Sequence, residues 1–107
     1  MANTYKNAKV DLTTTNATTV LTTSVGSTNI IKSMLVSEDS GNADTITLTI
    51  TDTDSAVFSL FKVKAVSANT TVELLTQPLV LQDSEILKAT AATANRLHLV
   101  VSYLEIS

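Results

Sequence analysis

Between residues 45 and 51, threonines alternate with Ile46, Leu48 and Ile50. A period of two puts the three aliphatic side chains on one face and Thr45, Thr47, Thr49 and Thr51 on the other, which is the pattern of a half-buried β-strand. A helix would scatter the apolar positions around its circumference, and side chains branched at Cβ favour the pleated backbone. Residues 29–37 (NIIKSMLVS) read as the preceding strand. The Glu-Asp-Ser-Gly-Asn-Ala-Asp between the two supplies turn residues, so the pair is expected to form an antiparallel hairpin.

Downstream, residues 52–55 (DTDS) turn the chain into a strand over 57–66, where Phe61, Val63 and Ala65 alternate with Lys62 and Lys64. Residues 72–75 and 79–81 are short strands separated by Pro78, which cannot donate to a ladder and marks an edge or a bend. Residues 85–90 and 96–106 are expected to make a final hairpin across 91–95. The last strand carries Leu97, Leu99, Val101 and Tyr103 on one face and Val100, Leu104 and Ile106 on the other. A strand apolar on both sides is either central in a sandwich or part of an interface. The first 27 residues hold little apolar material beyond Val10, Leu12, Val20 and Leu21, and read as an extended Thr-rich arm or as two short edge strands. Seven or eight short strands with regular turn signals predict one all-β domain over residues 1–107, an antiparallel sandwich of jelly-roll type.

Composition sharpens this picture. The chain has 107 residues, 44% of them hydrophobic but only 4% aromatic, so its core is aliphatic and thin. One core of this size is all the length allows. Charged residues are 16%, and hydroxyls are abundant, with 19 Thr and 11 Ser. Much of the surface is therefore expected to be hydroxyl or covered by a partner. A net charge of −3, with six Lys and one Arg dispersed, argues against nucleic-acid binding, which needs clustered cations. No cysteine is present, which excludes disulfides and thiolate chemistry. No stretch approaches the ~18 apolar residues of a membrane span, so no membrane role is expected and synthesis in a cytoplasm is.

Candidate chemistry is sparse. His98, the single histidine, sits mid-strand without a legible partner for acid–base work or metal binding, and is read as a solvent- or subunit-facing residue. Asp52-Thr53-Asp54-Ser55 has the alternating oxygens that open a calcium loop, but Val57 and Val63 stand where an EF-hand requires Gly and Glu. A β-turn held by its Asp side chain is the better account. The two glycines, Gly26 and Gly41, are too isolated for a phosphate loop, and no nucleophile motif occurs. No enzyme, cofactor or metal is expected. Lys62 and Lys64, with Lys32 on a neighbouring strand, make a small basic stripe that fits either an acidic partner or protection of a sheet edge.

The run Thr71-Val72-Glu73-Leu74 leading into Pro78-Leu79-Val80-Leu81, then Asp83-Ser84-Glu85-Ile86-Leu87-Lys88-Ala89 and Ser102-Tyr103-Leu104-Glu105-Ile106, resembles the small β-sandwich virion proteins of tailed bacteriophages, including marine and cyanobacterial phages. Ile30-Ile31-Lys32-Ser33-Met34-Leu35-Val36 followed by Ala43-Asp44-Thr45-Ile46-Thr47-Leu48 is similar to their first hairpin. The resemblance implies a non-enzymatic structural protein of the virion, made in the host cytoplasm. Its foremost role would be capsid decoration, or cementing, on the outer capsid surface. A neck, tail or fibre accessory is the alternative within the same class, and a carbohydrate-binding module is the alternative outside it. The implied partners are the major capsid protein or another virion protein, together with further copies of the chain, a trimer being favoured. On this reading the N-terminal arm attaches the protein, and Val10, Leu12, Val20 and Leu21 dock into apolar grooves of the particle.

Overall fold

The computed structural model describes residues 2–107. Nine strands follow in order: β1 (Asn3–Asp11), β2 (Thr18–Thr22), β3 (Thr28–Glu38), β4 (Asp44–Thr51), β5 (Val57–Val66), β6 (Thr71–Glu73), β7 (Leu79–Leu81), β8 (Ile86–Ala91) and β9 (Leu97–Ile106). They form two antiparallel sheets. The first runs β1-β9-β3 with β6 and β7 both on the far side of β3, and the second runs β2-β8-β4-β5. Counting β6 and β7 as one interrupted strand gives two four-stranded sheets and the expected all-β jelly roll.

The pairing has a simple origin. At residues 52–55 the chain folds back on itself: the Asp52 side chain accepts the N–H groups of Asp54 and Ala56, both at 2.9 Å, and Ser55 takes φ 63°. From that apex the two halves run together as one ribbon. Thr51 pairs with Val57, Val36 with Val72, Thr18 with Ala89 and Asn3 with Ile106, so partners lie symmetrically about Asp54. Rolling this ribbon up sends successive strands to alternate sheets everywhere except at the apex, where β4 and β5 stay together.

Two expected hairpins are corrected by this arrangement. β3 and β4 do not pair, because residues 39–43 carry the chain from the first sheet to the second; β8 and β9 are likewise separated by a crossing at residues 92–96. Turn residues encode a reversal, but not whether it stays within a sheet. Each of these strands buries a full face, and its hydrogen bonds go to the partner across the ribbon. Lys32 is also relocated: it lies on β3 in the first sheet and has no place beside Lys62 and Lys64 on β5 of the second.

The core agrees with the period-two reading. Ile46, Leu48, Leu97, Leu99 and Val101 are completely buried, and Tyr103 nearly so. β9 is flanked by β1 and β3 and is a central strand, with Leu97, Leu99, Val101 and Tyr103 in the core and Val100, Leu104 and Ile106 half-buried on the outer face of the sheet. Pro78 sits where the edge of the first sheet is interrupted: β6 pairs with Leu35–Ser37 side of β3, and β7 with its Asn29-to-Ile31 end. Ile46→Ala or Leu48→Ala is expected to cost about 2–5 kcal/mol in denaturant unfolding. Thr45→Ser and Thr49→Ser should be near neutral, and Thr47→Val should cost more than Thr47→Ser, because the Thr47 hydroxyl accepts the backbone N–H of Val63 at 3.0 Å. Equal losses at both sets of positions would contradict the inward assignment of Ile46 and Leu48.

The N-terminal region is structural. β1 pairs with β9 along its whole length, from Asn3 opposite Ile106 to Asp11 opposite His98. β2 pairs with β8, with one bulge between Thr19 and Leu21. Of the two expected forms, arm or edge strands, residues 3–22 take the second, and β1 is far longer than the Val10-to-Leu12 stretch that its apolar residues suggest.

Candidate functional site

The side chains singled out for docking fall in different places. Leu12 is fully buried and Val20 is 8% exposed, so both belong to the chain's own core and are corrected as docking residues. In a thin aliphatic interior, the few apolar residues of a polar segment are needed to close the sandwich. Val10 and Leu21 are half-buried and pack against that core. Val10 also lines a hollow of ≈ 370 Å³ on the first sheet, with Lys9, Asp11, His98, Leu99 and Val100.

The outer face of the first sheet brings together residues that are far apart in the chain. Register alone places Tyr5 opposite Leu104, Leu104 opposite Ile30, and Ile30 opposite Val80. These four residues form one uncharged row across β1, β9, β3 and β7. Its two ends are the most open, with Tyr5 76% and Val80 49% exposed. A second, shorter apolar row is Val100 opposite the exposed Leu35, flanked by Lys9 and Glu73 in register. Cross-strand neighbours on one face lie roughly 5 Å apart, so the rows are continuous apolar surface rather than scattered single residues. The polar band between them holds Asn7, Ser102 and Ser33. Lys6 and Glu105 close one end of the sandwich with a 2.9 Å ion pair, whose hydrogen bond and then coulombic attraction raise the lysine pKa.

At the other end of this face, Asp11, His98 and Ser37 are in register across β1, β9 and β3. Acid, imidazole and hydroxyl in a row suggest nucleophile activation, but the contacts go elsewhere. His98 Nε2 faces Asp11 at 3.3 Å and Nδ1 faces Asp39 at 3.6 Å. With both ring nitrogens turned to carboxylates, none is directed at Ser37 to take its proton. The imidazole lies between the Asp11 and Asp39 side chains, on β1 and the β3–β4 crossing.

Three carboxylates hold the loops that frame the face. Glu38, 1% exposed, accepts the N–H groups of Ser40 (2.9 Å), Gly41 (3.0 Å), Asn42 (3.2 Å) and Asn69 (3.1 Å), and the Ser40 hydroxyl. Burial alone would push its pKa up; the hydrogen bonds from the Ser40 side chain and from the backbone of Asn69, Ser40 and Gly41 outweigh this and hold it at about 2. Gly41 itself adopts φ 84° in this turn, a conformation that side chains strain to reach. Glu73 is lowered in the same way: burial opposes, while the Ser33 hydroxyl and the N–H groups of Met34 and Leu75 prevail, fixing β6 beside the β3 bulge. Asp83 is lowered by the Ser84 hydroxyl and then by the Gly26 N–H at 2.7 Å, joining the β7–β8 turn to the β2–β3 turn. Among the described residues no group of three His, Cys, Asp or Glu side chains is arranged to hold a metal ion. The Asp52 turn is the Asx-type turn expected of it.

Comparison of the chain with protein-family models, with curated proteins and with solved structures gives no match.

Proposed function

We propose that this protein is a non-enzymatic structural component of a tailed-bacteriophage virion, a capsid decoration protein that lays the outer face of its first sheet on the major capsid protein. The observation that carries this reading is the uncharged row Tyr5, Leu104, Ile30 and Val80, reinforced by Val100 and Leu35. Two apolar rows, with the polar band of Asn7, Ser102 and Ser33 and the exposed Lys32 between them and Lys9 and Glu73 at the ends of the shorter row, have the mixed apolar and polar make-up of a protein–protein contact. The two-sheet jelly roll supports the reading as a class that recurs in virus capsid domains, although a fold alone does not assign a role. The virion assignment itself rests on the sequence resemblance. A carbohydrate-binding module would use an aromatic platform, and among the described residues Tyr5 is the single Phe, Tyr or Trp ring on this outer face.

Co-sedimentation with purified particles tests the face. Tyr5→Asp and Val80→Asp alter exposed positions and should leave thermal melting nearly unchanged while weakening particle binding by about tenfold or more, since each puts a charge into an apolar contact. Binding equal to that of the unmodified protein in both variants would overturn the docking face.

A further inference from the structure

The outer face of the first sheet carries one irregularity. The pairing of β3 with β9 shifts between Ile31 and Ser33, so Lys32 is an extra residue with no residue of β9 opposite it. A bulge of this kind takes a side chain out of the alternation of its strand and re-aims it. Lys32 is exposed, and with Tyr5 and Asn7 of β1 and Ser102 of β9 it lines a hollow of ≈ 350 Å³. A residue of β3 thus shares a hollow with β1 across the central strand, in the polar band between the two apolar rows.

The Lys32 ammonium has no counter-charge within the chain. Among the described residues the ion pairs are those of Lys6 with Glu105 and of His98 with Asp11 and Asp39. Glu73, at the end of the shorter row, is already engaged by the Ser33 hydroxyl and by the N–H groups of Met34 and Leu75. Lys9, opposite Val100, adds a second cation to the same face. On the free protein water solvates these groups. Covering the face removes that water, and a desolvated ammonium without a counter-charge is strongly unfavourable.

We infer that the partner supplies the counter-charge, and that the hollow of Lys32, Asn7 and Ser102 receives an Asp or Glu side chain of the protein docked on this face. The inference rests on the docking face proposed above and names the chemistry which that face selects. The ammonium carries the charge, and the Asn7 amide and Ser102 hydroxyl are further donors for the carboxylate oxygens. The apolar rows on either side exclude water from the pair, so the acidic residue it takes is one flanked by apolar residues on the partner. A free carboxylate has no such neighbours to cover Tyr5, Leu104, Val100 and Leu35, and the site therefore selects a protein surface.

Co-sedimentation with purified particles tests the charge. Lys32→Met should weaken binding by about tenfold and Lys32→Glu by more, with Lys32→Arg closer to the unmodified protein than either. Raising the salt concentration should weaken the unmodified protein more than Lys32→Met. Lys62→Glu, on β5 of the second sheet, makes the same change in net charge as Lys32→Glu but away from this face, and should bind like the unmodified protein. Treating the complex with a water-soluble carbodiimide identifies the partner group: Lys32 Nζ attacks the activated carboxyl, an amide bond forms, and the carbodiimide leaves as its urea with one carboxyl oxygen. Mass spectrometry should find Lys32 joined to an Asp or Glu of the major capsid protein. Unmodified protein that fails to bind particles would overturn the docking face and this site with it. Binding that Tyr5→Asp weakens but Lys32→Met and Lys32→Glu leave unchanged would overturn this site alone, as would a Lys32 link to another copy of the chain in place of the capsid protein.

Discussion

Deletion of residues 1–23 is expected to abolish the folded state. The truncated chain loses β1 and β2, which are the outer strands beside β9 and β8, and with them Leu12 and Val20 from the core. It also loses bonds that hold the ends of the sandwich together: Leu12 N–H to Leu97 O at 3.1 Å, Asn95 N–H to Leu12 O at 2.9 Å, and Ser84 N–H to Thr23 O at 3.1 Å. A domain of this size has stability on the order of 10 kcal/mol, and removing one large buried aliphatic side chain costs about 2–5 kcal/mol by itself. Two such losses together with two strands exceed that margin. Circular dichroism and thermal melting check it: no cooperative transition should remain. A truncated protein that melts cooperatively near the temperature of the full chain would mean that residues 1–23 are an appendage after all.

Glu38→Ala should be the most damaging single substitution of a polar residue. It leaves the N–H groups of Ser40, Gly41, Asn42 and Asn69 without their acceptor at the crossing between the sheets, and the melting temperature should fall on the order of 10 °C or more. The native carboxyl pKa lies well below its ordinary value, at about 2. The stabilisation it gives is therefore complete above the ordinary carboxylate range and is lost as pH falls from there towards 2. Glu73 and Asp83 are lowered too and add to the acid sensitivity of the whole protein. Comparison with Glu38→Gln isolates the Glu38 share: the gap in melting temperature between the two proteins should be widest near neutral pH and narrow in acid. A gap that stays constant between neutral pH and pH 2 would show that the carboxylate charge has no part in holding this turn.

What could be read in advance depended on the range over which each signal acts. β4 and β9 were legible because alternation such as Thr45 to Thr51 is written within one strand. The all-β class followed from the same local evidence. Pairing was not legible in that way, because alternation tells which face is buried and nothing about the neighbour; hence the two misplaced hairpins. The symmetry of the ribbon about Asp54 was present in the spacing of the strands, and could have been sought once residues 52–55 were recognised as a turn near the middle of the chain. β1 escaped because an edge strand can be ordered by the backbone of β9 with only Ala8 and Val10 packed against the core. Scarcity misled the reading of Leu12 and Val20: rare apolar residues in a polar segment looked like docking groups and are core.

The row Tyr5, Leu104, Ile30 and Val80 could not be assembled before the register was known, since each residue comes from a different strand. One trace of it was visible, the second apolar face of β9 at Val100, Leu104 and Ile106. Its central position in the sheet explains the buried face, and the outer face is left as surface that a partner can cover. Glu38 carried a weaker signal: a glutamate immediately before Asp-Ser-Gly-Asn is placed to accept the N–H groups of the turn that follows.

The central claim, that the outer face of the first sheet docks on a capsid, is tested most directly by electron cryomicroscopy of particles carrying the protein. The account predicts density for the jelly roll on the outer capsid surface, with Tyr5, Leu104, Ile30 and Val80 turned to the major capsid protein and the Thr45-to-Thr51 face turned away. Density confined to the neck, tail or fibres, or a jelly roll seated on the capsid through its second sheet, would contradict it.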